Sequence, residues 1–129
     1  MILPKIHEFD PVIYPYKLYV AITDNISSLS NKFWSVEPGH MLDTVDYGNY
    51  GAISIKIVES RTNDFGVLVV FKSRKQMTIR TIAHEASHAA KFLFQHIGAD
   101  IEPHEPFEYV VGWVADCIVK VKNNKNVKD

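Results

Sequence analysis

Read by its alternation of apolar and polar positions, the chain divides into an extended start, two strand-rich stretches and a helical second half. Residues 1–14 mix prolines with apolar and charged residues and carry neither helix nor strand periodicity, so they predict an extended arm. Tyr16 to Ile22 alternates and is aromatic-rich, which predicts a strand. Thr23, Asp24 or Asn25 then offers a cap for a short helix running to about Trp34. Pro38 to Gly51 is rich in turn formers and reads as a long loop. Ala52–Val58 alternates and Gly66–Phe71 is evenly apolar, predicting two strands joined by a hairpin connection at Arg61–Phe65.

From about Met77 the period becomes helical and holds to Ile97, where Gly98 supplies a left-handed stop. A second helix is predicted from Phe107 to about Val121, and residues 122–129 form a polar tail expected to fray. Strands followed by helices predict an α+β fold, a small, mostly antiparallel twisted sheet packed on the first helix. The 129 residues suit a single domain (1–129) and a single site.

Composition narrows the classes. Fourteen basic against fifteen acidic residues give a net charge of -1, so no overall field steers the chain to nucleic acid or an anionic membrane. No secretory leader or membrane span is legible, and the one cysteine, Cys117, has no internal partner for a disulfide; the expectation is a cytoplasmic protein.

The chemistry concentrates in His84-Glu85-Ala86-Ser87-His88, an H-E-x-x-H pattern. Residues four apart share a helix face, so two imidazoles can converge on one Zn²⁺, with Glu85 beside them as a general base. Setting His84 at zero on a helical wheel, Ile79, Ile82, Ala83, Ala86, Ala89, Ala90, Leu93, Phe94 and Ile97 form the opposite, core-facing stripe. The histidines are thereby predicted to face away from the core. His96 falls on neither face and is expected to sit at the surface without a role.

A catalytic zinc takes three protein ligands. The candidates are Glu105, then Glu108, then His104, each with the alternative of a solvated charge near a helix start. Tyr109, Gly112 and Asp116 share the polar seam of Glu105; Tyr109 offers a phenol to a reacting carbonyl, and Gly112 suggests close approach of another backbone. Asp116, about 16 Å along the helix from Glu105, cannot join it as a ligand.

With Ala89–Phe94 and Glu105–Trp113 following, the motif resembles the zincin metallopeptidases, in particular the small zincin-like proteins of phages and mobile elements, over about residues 66–121. The resemblance implies a gluzincin-like third ligand at Glu105, with Glu108 as fallback. It also implies a peptide or protein substrate added as a strand to a sheet edge, supplied by Gly66–Phe71 or Ala52–Val58. Two other classes stand beside it: a non-catalytic scaffold binding a partner protein, and a DNA-associated protein using Lys72, Arg74, Lys75, Arg80 and the tail lysines 120, 122, 125 and 128. The charge balance argues against nucleic acid. Trp34, Asp43, Asp46, Tyr47 and Tyr50 are consistent with a cleft lining or with closing the core.

Overall fold

The computed structural model describes residues 4–36, 42, 47–99 and 104–124, the side chains of residues 104 and 105 excepted. Five strands come first: β1 (Ile6–Phe9), β2 (Lys17–Ile22), β3 (Phe33–Ser35), β4 (Ala52–Glu59) and β5 (Phe65–Phe71). Two helices follow, α1 (Ile79–Ile97) and α2 (His104–Asn123). The strands form one mixed sheet in the order β1-β2-β5-β4-β3, with the two helices packed against it. Every neighbouring pair is antiparallel except β2 and β5, which run parallel from Lys17 opposite Gly66 to Ile22 opposite Phe71. A parallel pair needs a crossover. Here it runs from the end of β2 to the far edge as β3 and returns through β4.

Strand alternation sorts the core into two layers. Leu18, Val20, Ile22, Val67, Val69 and Phe71 face the helices and meet Ala86, Ala89, Ala90 and Leu93 of α1 and Val114, Ile118 and Val121 of α2. Tyr19, Ala21, Ile55, Ile57, Leu68 and Val70 face the other way, against Ile26, Leu29, Phe33, Leu42 and Tyr47. Both faces of β2 and β5 are therefore covered, which explains their nearly continuous apolar sequence.

Local signals set the element ends. At the β4–β5 connection Asn63 takes a left-handed φ of 61°. There the Glu59 carboxylate accepts hydrogen bonds from the Arg61 and Thr62 amides and from the Thr62 hydroxyl. Thr78 caps α1 by accepting from the Thr81 amide, and Gly98 ends it at φ 69°.

Four expectations change. The arm is not free of regular structure: Ile6–Phe9 pairs with β2 as an edge strand. The helix expected to reach Trp34 is a single 3-10 turn, Ile26–Leu29, after which Phe33–Ser35 pairs with β4. Aromatic side chains on a half-covered sheet edge outweigh a weak cap signal, and Asn25 makes no side-chain cap bond. The apolar stripe of α1 is narrower than the wheel suggests, because Ile79 is 86% exposed and Ala83 is also exposed. Both precede or flank the part of the helix that the sheet covers. Lastly, neither β4 nor β5 is an edge; the sheet's edges are β1 and β3. Most of the expected loop at 38–51, with Asp43 and Asp46, lies outside the described residues, as do Lys125 and Lys128. Among the described residues no helix is long and apolar enough to cross a membrane.

Candidate metal centre

Three alanines in contact with the sheet, Ala86, Ala89 and Ala90, let α1 lie close over β4 and β5. With the helix fixed by that face, His84 and His88 emerge on its exposed side. Their Nε2 atoms stand 3.1 Å apart and their rings meet edge to face at 4.6 Å between centroids. Two nitrogens bound about 2.05 Å from a tetrahedral zinc stand about 3.3 Å apart. The pair thus presents its donor atoms at a separation that suits one ion. In the metal-free chain the same contact is a hydrogen bond, one Nε2–H donating to the other ring's bare nitrogen.

Glu85 differs from its neighbours in environment. Only 5% exposed, it turns down the β4 side of the helix, and its Oε1 accepts a hydrogen bond of 2.7 Å from the Ser54 hydroxyl. Among the described residues no other donor reaches this carboxylate. Further along the same flank Phe92 lies 6.2 Å from the His88 ring, and the Lys56 ammonium sits 5.2 Å from the Phe92 centroid. Ser54 and Lys56 alternate with the opposite-facing Ile55 and Ile57, so both belong to the helix side of the sheet. Trp34 is paired with Val58 and 53% exposed, which brings an aromatic ring to the same side at the β3 edge.

Sequence reasoning missed Ser54, Lys56 and Phe92. A hydroxyl at the helix-facing position of an otherwise apolar strand was the available signal for Ser54. Placing it against Glu85 needed the helix-to-sheet registration.

The other candidates are placed differently. Among the described residues no group of three His, Cys, Asp or Glu side chains is arranged to hold a metal. Glu108 and Asp116 are both exposed and do not complete the histidine pair. The side chains of Glu105 and His104 lie outside the described residues. Tyr109, 74% exposed, lines an apolar cleft of about 400 Å³ with Ile13, Tyr14, Pro106, Val110 and Trp113, and neither His84 nor His88 is part of that lining. Nothing lies within 4 Å of a Cβ built on Gly112, so the expected close backbone approach is absent among the described residues. Exposed His96 stacks on Phe65 at 3.6 Å, a packing position at the helix end. Tyr47 is buried in the core and Tyr50 is exposed. The Cys117 thiol is buried and pushed up to about 11, first by desolvation, which suits a packing residue rather than a nucleophile.

No protein-family model, curated protein or solved structure matches this chain. The functional reading therefore stands on the residues themselves.

Proposed function

We propose that the protein is a zinc-dependent peptidase of zincin type, with His84 and His88 as metal ligands, Glu105 as the third ligand and Glu85 as general base. The observation that carries the proposal is the pair of imidazole nitrogens turned toward each other, 3.1 Å apart, on the exposed face of α1. Glu85 supports it, since a carboxylate anchored next to two donors is of no use to a merely structural pair. Zinc bound by these residues would supply Lewis-acid chemistry, lowering the pKa of a water and polarising the scissile carbonyl. Glu85 would take a proton from the attacking water and hand it to the leaving amine. Glu105 rests on the resemblance to gluzincins.

Substrate is taken as an extended peptide. The β3 edge, next to β4 on the helix side that carries Trp34, replaces the interior strands β4 and β5 as the place where a peptide aligns with the sheet. Tyr109, which lines a cleft together with residues of the N-terminal arm, is given no step. A cytoplasmic setting in a phage or mobile element belongs to the same proposal.

Metal analysis of purified protein is the test. Stoichiometric zinc is expected in wild type and in Glu85→Gln, with strong loss in His84→Ala and Glu105→Ala and no loss in Glu108→Ala. Wild type that stays zinc-free in zinc-containing buffer leaves a non-catalytic binding scaffold as the surviving reading.

A further inference from the structure

We propose that Ser54 is a positioning residue of this site: its hydroxyl holds the Glu85 carboxylate through Oε1 and leaves Oε2 without a donor among the described residues. The inference deepens the peptidase reading and rests on it for its catalytic meaning, although the anchoring itself does not require a metal.

A glutamate side chain has three rotatable bonds, and holding it in one arrangement costs conformational entropy. Burying its charge costs more unless a donor is supplied. The fold supplies one. Ser54 sits on the helix side of β4, and the close seat of α1 brings its Oγ to 2.7 Å from Glu85 Oε1 and 3.4 Å from the Glu85 carbonyl oxygen. The hydroxyl's single proton goes to the nearer carboxylate oxygen. Ala52, two residues before Ser54 on the same face, and Ala86 and Ala89 on the helix are apolar and buried, so they offer Glu85 no alternative donor. Held at Oε1, the carboxylate keeps Oε2 without a donor among the described residues, which is the state required of a proton acceptor. A base placed in advance also avoids reorganisation when the proton moves.

The test uses the full chain carrying Ser54→Ala, Ser54→Thr or Glu85→Gln, with ¹³C-labelled glutamate. The Cδ resonance that Glu85→Gln removes belongs to Glu85. In metal-free protein Ser54→Ala is expected to shift and broaden that resonance as the side chain samples more rotamers, and Ser54→Thr, which keeps the hydroxyl, to restore it. With zinc loaded, wild type and Ser54→Ala take up equal metal. Turnover of a mixed peptide library then falls about tenfold or more in Ser54→Ala, with KM little changed and recovery in Ser54→Thr. An unchanged Glu85 resonance in Ser54→Ala, or failure of Ser54→Thr to restore it while both variants stay folded, overturns the proposal. Wild type without zinc or without turnover overturns the peptidase reading, and the resonance still decides the anchor.

Discussion

Two glycines in very different surroundings give a quantitative check on the packing that carries the site. Gly66 begins the parallel pairing of β5 with β2, and a Cβ built there falls 2.4 Å from the Lys17 carbonyl oxygen and 3.0 Å from Tyr19 Cε2. The first contact is with backbone, about 1 Å inside ordinary van der Waals distance, so no side-chain rotation relieves it. Gly66→Ala must push β2 and β5 apart at this end, at a cost of about 1–3 kcal/mol. For 129 residues the unfolding entropy is about 0.27 kcal/mol/K, so the melting temperature should fall by roughly 4–11 °C. Gly112 is the counter-case. Its Cβ position is open and it lies inside α2, so Gly112→Ala should gain about 0.5–1 kcal/mol, or roughly 2–4 °C. Reversible thermal unfolding followed by far-ultraviolet circular dichroism measures both, with the double variant expected to give the sum. Wild-type melting in Gly66→Ala would refute the β2–β5 register. A loss of stability in Gly112→Ala would show that another backbone does approach α2 there.

Four other outcomes are expected. If zinc is present at 100 times its dissociation constant it adds about 2.7 kcal/mol, so chelation should lower the wild-type melting temperature by about 10 °C and leave His84→Ala and His88→Ala unaffected. Leu93→Ala, which empties a fully buried position where α1 meets the sheet, should cost about 3 kcal/mol in urea unfolding. The Glu59 carboxyl is held below its ordinary value of 4.5, first by the Thr62 hydroxyl and then, against desolvation, by the Arg61 and Thr62 amides. Its stabilisation is therefore complete above that value and lost as pH falls below it. Glu59→Gln should flatten the acid limb of the stability curve below about pH 4.5. His7 is held below 6.5 by burial and then by Lys5, so it adds an earlier loss as pH drops below that value, which His7→Gln should remove.

Long, periodic segments were legible in the sequence. The motif helix with its glycine stop, the second helix with its apolar stripe and the β4–β5 hairpin all carry strong local signals, and the outward direction of His84 and His88 follows from the wheel. Segments stabilised by pairing rather than by their own pattern were not. Ile6–Phe9 and Phe33–Ser35 are strands because β2 and β4 offer them hydrogen-bonding edges. The wheel left Glu85 at the rim of the helix, and only the contact with Ser54, 31 positions away, makes it a buried and anchored carboxylate. Evenly apolar β5 and aromatic β2 gave no sign that they run parallel, since a strand covered on both sides loses the alternation that would orient it.

The same parallel seam sets the order in which the molecule can assemble. Lys17 and Gly66 are separated by about 50 residues of chain, whereas β4 and β5 meet through a short turn, so the distant pairing closes late and slowly. During synthesis the first apolar strand leaves the ribosome long before its central neighbour exists, and until then it presents a sticky backbone edge to other nascent chains.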